Sequence, residues 1–341
     1  MVTCTLDLSR VTPMNRQQIE QLAHVAGGFE SRILLEHNNR EINGKSMLGL
    51  LSLGVTGSDP VIMTVQGEDE EEAAREIKKL LDSGVKPPKN AADAEQLMQL
   101  VAKRYREILG ENLNGVYLHG SLAAGCFQWD RSDVDFLTVV QEPLTAEKKI
   151  ALAETLYSLR DAAPPSGFEM SVLRAADCRN PKYPMHFDLH VSKRYQQDYE
   201  RDARGFCERM HGEDPDLTAH VLALHAYGMA LCGPSISRVF GKVRREDALS
   251  AIRYDAADAA DHFQAHPCYY VLNLCRALAY LREGLVLSKR DGGEWALQNL
   301  DSQHQRVIQA ALNAYANGRD MVYDAGLAEN FCCDALEELQ A

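Results

Sequence analysis

Residues 117–140 read YLHGSLAAGCFQWDRSDVDFLTVV, and the rest of the chain is organised around this stretch. Both of its ends are apolar and rich in β-branched and aromatic residues, which predicts two short buried strands. Between the strands lie Gly120-Ser121 and, further along, Asp133-Val134-Asp135. Because residues i and i+2 of a strand point to the same side of a sheet, the two carboxylates are expected to converge.

Two carboxylates held close together repel each other unless a cation lies between them. Mg²⁺ is commonly held by one or two carboxylates together with the phosphates of a substrate, so Asp133 and Asp135 are predicted Mg²⁺ ligands. Gly120 lets the backbone approach a phosphate closely, and Ser121 adds a hydroxyl donor or caps the next helix. The alternative is a chance Asp-x-Asp in a solvated loop, since that tripeptide alone is common.

The same combination resembles the nucleotidyltransferase superfamily that includes DNA polymerase β and the aminoglycoside nucleotidyltransferases. The matching residues are Gly120, Ser121, Asp133 and Asp135, with apolar strands on both sides. The resemblance implies a metal-dependent transfer of a nucleotide monophosphate.

Composition limits the other possibilities. A length of 341 residues allows two or three domains, and 45% hydrophobic with 25% charged residues is ordinary for a globular protein. The net charge of −13 argues against nucleic acid as a partner, because a phosphate backbone requires a basic surface. Nine scattered cysteines, an odd number, indicate free thiols. Without a signal peptide or a membrane-spanning run, the expected location is cytoplasmic and away from membranes.

Residues 1–84 form a predicted separate domain that resembles HPr, the small phosphocarrier of the sugar phosphotransferase system. The resemblance lies in QQIEQLAHVAGGFESRILLEH (17–37), GKSMLGLLSLGV (44–55) and QGEDEEEAAREIKKLL (66–81). It implies an open-faced β-sandwich. The position of the phosphocarrier histidine falls on Asn15, whose amide is not a useful nucleophile, so this domain is expected to carry no phosphoryl group.

Ser46 matches the regulatory serine that HPr kinase phosphorylates in that family, which would make HPr kinase a partner. The simpler interpretation is that Ser46 caps the helix predicted from Met47 to Leu53. Both can hold, because a phosphate at a helix N-terminus is electrostatically favoured.

Residues 91–195 are the predicted nucleotidyltransferase domain, which begins with an amphipathic helix from Ala91 to Leu109. The strand-like segment from Phe168 to Leu173 carries Glu169, which matches the catalytic base of the aminoglycoside nucleotidyltransferases. The competitor is Asp188, which an alternating strand would place on one face with His186 and His190. That trio could hold a metal, although polar residues on an exposed strand face are the more frequent case.

Residues 196–341 are predicted to be a helical bundle, with periodic apolar runs that include Leu217 to Leu231. This part resembles the C-terminal domain of streptomycin/spectinomycin adenylyltransferases. The resemblance lies in LCGP (231–234), VLNLCR (271–276), GLVLSK (284–289) and EWAL (294–297). It implies that Lys289 contacts nucleotide phosphates, against the alternative of a solvated lysine. Arg276 is a second candidate cation, or else an ion-pair partner between helices.

One departure concerns the acceptor. The family carries drug-binding acidic residues near the start of the helix that contains VLNLCR, where this chain has His266-Pro267-Cys268.

The predicted fold of the whole chain is α+β in three domains: the HPr-like sandwich, a polymerase-β-like domain and a helical bundle. The predicted reaction moves AMP from ATP onto a hydroxyl of a small molecule, with an aminoglycoside as one candidate, and Glu169 accepts the hydroxyl proton. The alternatives are transfer onto a protein hydroxyl, or a phosphorylation-responsive binding protein that only senses nucleotide.

Overall fold

The computed structural model describes residues 1–6, 16–38, 40–53, 61–82 and 89–341, with no side-chain detail for residues 16–18 and 82. Contacts divide the chain into two compact units, Met1–Lys89 and Asn90–Ala341. No helix that these residues form is long and apolar enough to cross a membrane. Asn15 lies outside the described residues, as do most of residues 85–90, which connect the first two predicted domains.

The first unit contains a four-stranded antiparallel sheet in the order β1-β4-β2-β3. Its strands are β1 (Val2–Leu6), β2 (Arg32–His37), β3 (Arg40–Asn43) and β4 (Val61–Gln66), and its helices are α1 (Arg16–Gly27), α2 (Met47–Ser52) and α3 (Glu70–Asp82). Val61, Met63 and Val65 alternate along β4 and are fully buried, as the period of two of a half-buried strand requires. They share one apolar core with Leu22 of α1 and Ile77 of α3.

The second unit is built on a five-stranded mixed sheet in the order β11-β5-β6-β7-β9. These strands are β5 (Leu113–Leu118), β6 (Val134–Val140), β7 (Phe168–Arg174), β9 (Leu189–Ser192) and β11 (Met229–Cys232), while β8 (Met185–Phe187) and β10 (Gly212–Asp214) pair separately. Strands β6 and β7 run parallel, and the other neighbours are antiparallel. The parallel pair matters for function, because its register sets Asp135 directly opposite Glu169.

Helices cover both faces of this sheet and then continue into a helical region. They are α4 (Ala91–Leu109), α5 (Gly120–Ala123), α6 (Ala146–Ser158), α7 (Ala175–Arg179), α8 (Gln196–Arg201), α9 (Ala203–Arg209), α10 (Leu217–Tyr227), α11 (Ile236–Val239), α12 (Arg245–Ala257), α13 (Ala259–His262), α14 (Pro267–Glu283), α15 (Lys289–Asn299), α16 (Gln305–Asn317) and α17 (Ala325–Gln340). Alternate residues of β6 face opposite sides, so that Phe136 packs in the core with α4 and α6 while Leu137 packs in the core with α10. Helix α14 lies at the centre of the helical region, in contact with α12, α15, α16 and α17.

The helix predicted from Leu217 to Leu231 is wrong at its end. Helix α10 stops at Tyr227, and Met229–Cys232 form strand β11, which pairs with residues 116–118 of β5. A short apolar run fits a strand and a helix equally well, and here the pairing satisfies backbone groups along the edge of β5.

Candidate active site

Three carboxylates converge at one end of the β6–β7 pair. Asp133 immediately precedes β6, Asp135 lies within it, and Glu169 lies opposite on β7. One oxygen from each of the three carboxylates lies within 4.8 Å of those of the other two. Burial, and then the charges of Asp133 and Glu169, hold the pKa of Asp135 well above its usual range. Such a cluster of oxygen ligands fits a divalent cation of the Mg²⁺ type. Its charge would offset both the free-energy cost of burying the carboxylates and the repulsion between them.

Gly120 lies against this cluster. Its backbone has φ +64°, and a Cβ there would lie 2.8 Å from the Cβ of Asp135 and would overlap its carboxylate. The backbone N–H of His119 donates to the carbonyl oxygen of Asp135 at 3.0 Å, which fixes the turn to β6. Only glycine therefore fits between the end of β5 and the Asp135 side chain.

Ser121 lies within the short helix α5, whose N-cap residue is His119, so Ser121 is not the cap of this helix. The Oγ atom is buried, and within the described part of the chain it has no hydrogen-bond partner. An unsatisfied buried hydroxyl that lines a cavity beside three carboxylates suits the oxygen of a bound anion.

A cavity of about 470 Å³ brings the predicted site residues together. It is lined from the sheet by Gly120, Ser121, Asp133, Asp135 and Glu169, and from the helical region by Arg276 and Lys289. Residues that lie far apart in sequence thus share one space, which holds both acidic groups and cations.

Lys289 is the first residue of α15, and its Nζ lies 4.1 Å from the centre of the Tyr269 ring. Burial, and then the neighbouring Arg276, lower the pKa of Lys289 to about 8. The interhelical ion pair predicted for Arg276 is also present, since its Nη2 lies 3.5 Å from Asp255 Oδ2. The same guanidinium lines the cavity, so both interpretations of Arg276 describe one arrangement.

Sequence reasoning missed several residues of the cavity wall. The His119 ring is buried and packs against the His220 ring, tilted by 39° with 4.7 Å between centres, and burial lowers the pKa of His119 well below its usual range. Burial, and then the charge of Asp255, raise the pKa of Asp216 to about 6. Asp214-Pro215-Asp216 repeats the acidic-x-acidic pattern, which was the available signal for Asp216, and His119 directly precedes Gly120-Ser121, whereas Asp255 and His220 stand in no local motif.

The alternative metal trio does not form. Asp188 separates β8 from β9, so the expected continuous strand from His186 to His190 is wrong. Asp188 accepts the backbone N–H of Leu144 at 2.6 Å and pairs with Lys149 at 3.7 Å. His186 lies 3.4 Å from Glu213, and His190 Nδ1 lies 2.9 Å from Ser171 Oγ. The three side chains thus hold separate structural contacts.

Comparison with known proteins finds relatives of both units. Residues 238–337 match the family model described as aminoglycoside adenylyltransferase, C-terminal domain, and residues 14–83 match PTS HPr component phosphorylation site. Spectinomycin 9-adenylyltransferase of Staphylococcus aureus (strain Mu50) is 24% identical over 219 residues, covering 62% of this chain and 82% of that protein. The HPr-like protein Crh of Bacillus subtilis is 31% identical over 77 residues, covering 23% of this chain and 91% of Crh.

Among solved structures, spectinomycin adenyltransferase AAD(9) of Enterococcus faecalis, with ATP and spectinomycin, shares the fold of the second unit. The TM-score is 0.60 at 20% identity, over 72% of this chain and 99% of that one. Fold and relatives together make the protein a nucleotidyltransferase. Through its first unit the chain belongs to the HPr family, and its second unit is a nucleotidyltransferase that resembles the aminoglycoside adenylyltransferases, so both predicted resemblances are confirmed.

Proposed function

We propose that the second unit transfers AMP from ATP to a hydroxyl group of a small molecule and releases pyrophosphate. The observation that carries this proposal is the convergence of Asp133, Asp135 and Glu169 within 4.8 Å on the cavity wall. In this reaction the acceptor oxygen forms a bond to the α-phosphorus, and the bond from that phosphorus to the pyrophosphate oxygen breaks.

Asp133 and Asp135 would hold Mg²⁺, which when bound supplies positive charge to neutralise the phosphates. Ser121, Arg276 and Lys289 would bind phosphate oxygens. For Ser121 the support is its unsatisfied hydroxyl, and for the two cations it is their place on the same cavity.

Glu169 would accept the proton of the acceptor hydroxyl. Burial raises the pKa of Glu169 from its ordinary value, which the charge of His220 opposes and that of Asp133 reinforces. A carboxylate with a raised pKa is a stronger base at neutral pH, as this role requires.

The acceptor would be cationic, with an aminoglycoside as the leading candidate, because the relatives are named for aminoglycosides and spectinomycin. The acidic residues that the family resemblance implies near the start of α14 are replaced here by His266-Pro267-Cys268. Asp216 supplies an acidic group on the cavity wall from another element. Within the described residues its buried Oδ1 has no hydrogen-bond partner, so it could receive a cationic group of the acceptor.

The finer architecture is proposed along the same lines. The HPr-like domain would be an open-faced sandwich at residues 1–84, followed by a polymerase-β-like domain at 91–195 and a helical bundle at 196–341, from which strand β11 returns to the sheet of the preceding domain. The first domain would regulate rather than carry phosphate, since Asn15 replaces the histidine, with HPr kinase acting on Ser46. In the structure Ser46 caps α2, accepting the Gly49 N–H at 3.1 Å.

The test is to incubate the full chain with labelled ATP, Mg²⁺ and a panel of aminoglycosides. Pyrophosphate release and an acceptor that gains one adenylyl group are expected. Asp133→Asn and Asp135→Asn should each abolish transfer while leaving the chain folded. Asp130→Asn is the matched control, an exposed carboxylate of the same loop. Mg²⁺-dependent transfer that persists in the Asp133/Asp135 double variant would contradict the proposal.

A further inference from the structure

Two of the cations that line the cavity, Arg276 and Lys289, are linked to one carboxylate, that of Asp255, which lies on a different helix from either. Asp255 projects from α12 toward a face of α14 formed by Tyr269, Asn273 and Arg276. Their spacing of four and three residues aligns these side chains along one side of the helix. Asp255 Oδ1 lies 3.5 Å from the Tyr269 hydroxyl, and its Oδ2 accepts from Asn273 Nδ2 at 2.7 Å.

Asn273 connects Asp255 to Arg276. Its amide is buried, with 3% of its surface exposed. While Nδ2 donates to Asp255, Oδ1 accepts from Arg276 Nε at 2.6 Å. An amide has its donors on one end and its acceptor on the other, so the carboxylate fixes the amide orientation and the amide fixes the guanidinium. Arg276 Nη2 adds a direct contact to Asp255 Oδ2 at 3.5 Å.

Tyr269 connects the same carboxylate to Lys289. The Lys289 ammonium lies over the Tyr269 ring at 4.1 Å, the geometry of a cation–π contact. Burial and the nearby Arg276 lower the pKa of Lys289 to about 8, and Asp255 is the first of the carboxylates that oppose this fall. Asp255 thus favours both the position and the charge of the lysine.

We infer that Asp255 is a positioning residue, which orients Arg276 through Asn273 and Lys289 through Tyr269 toward the phosphates of the nucleotide. The inference rests on the proposed use of ATP. By this inference α12 takes part in triphosphate binding, although neither of the two cations lies on it. The inference also explains why an asparagine is buried in the otherwise apolar core of α14, since only its two-ended amide links the carboxylate to the guanidinium.

The experiment compares the binding of Mg²⁺-ATP and of AMP to the full chain by calorimetry without acceptor. Asp255→Asn should weaken ATP binding about tenfold, the loss of a charge-assisted contact, and should change AMP binding less than twofold. Asp258→Asn is the matched control, because Asp258 follows the same helix and accepts a tyrosine hydroxyl, that of Tyr270, at 3.0 Å. It should leave both affinities unchanged.

A double-mutant cycle separates positioning from a merely structural role. In an Arg276→Gln background, Asp255→Asn should lose about half of its effect or more, since one of its two targets is gone. If Asp255→Asn unfolds the chain, Asn273→Ser is used in its place, because it breaks the same connection from the α14 side. Equal losses for ATP and AMP, or full additivity with Arg276→Gln, would overturn the inference alone. A wild-type chain that binds no ATP would overturn the proposed function and the inference with it.

Discussion

Gly120→Ala tests whether the turn after β5 sets the position of a metal ligand. The new Cβ would sit at φ +64° and overlap the Asp135 carboxylate, so that either the turn or the ligand must move. A non-glycine residue in the left-handed region costs about 1–2 kcal/mol. For a unit of this size that strain lowers the melting temperature by about 2–8 °C. A displacement of the carboxylate by about 1 Å would reduce transfer roughly 100-fold.

Gly125→Ala provides the matched control. Gly125 lies in the same loop with φ +71°, but a Cβ there meets nothing within 4 Å. It should therefore cost similar backbone strain and leave transfer within about twofold of the wild type. The measurements are thermal unfolding, transfer rate and Mg²⁺ binding by calorimetry for both variants. If Gly120→Ala folds and matches Gly125→Ala in rate and in Mg²⁺ affinity, the argument from close approach to Asp135 is refuted.

Three further predictions concern other parts of the chain. Since the pKa of Lys289 is about 8, the positive charge of this lysine is lost as pH rises through that value. ATP affinity should therefore fall above pH 8 in the wild type and stay constant in Lys289→Arg. A fall of equal size in both proteins would contradict the role of this lysine. With Asn15 at the histidine position, incubation with phosphoenolpyruvate and the general phosphotransferase enzyme should yield no acid-labile phosphoprotein, and phosphohistidine in residues 1–84 would disprove this. Ser46→Ala should destabilise the first unit by about 1 kcal/mol, measured by urea unfolding, because it removes the cap of α2. HPr kinase should phosphorylate Ser46. If mass spectrometry finds no modification under conditions where HPr itself is fully modified, the serine acts as a helix cap alone.

Local signals in the sequence account for much of the fold. Helix α4 runs from Ala91 to Leu109 as predicted, because its apolar stripe is complete and a capping box formed by Asn90 and Asp93 fixes its first turn. Asn90 Oδ1 accepts the Ala92 N–H and Asp93 accepts the Asn90 N–H, each at 2.8 Å. Information of this kind lies within a few residues and can be read directly.

The assembly of the cavity depends on longer-range packing. The register that sets Asp135 against Glu169 joins strands separated by α6, and no local pattern specifies it. Asp216 and Asp255 are single carboxylates on different elements, and their approach depends on how α10 and α12 pack. The family resemblance indicated Glu169 and Lys289, and Arg276 stands in one of its motifs, whereas the residues outside those motifs come together only through the packing of the folded chain.

Strand β11 has a practical consequence for dividing the protein. It arrives after α10, yet it completes the sheet by pairing with residues 116–118 of β5, and the Tyr117 hydroxyl donates to the Pro234 carbonyl at 3.1 Å just beyond it. A fragment ending at residue 195 would leave the side of β5 that faces away from β6 unpaired, as an open edge that invites association with other chains. Split-enzyme reporters and fragment-complementation assays should therefore place the break after Cys232, so that the amino-terminal half keeps its own edge strand.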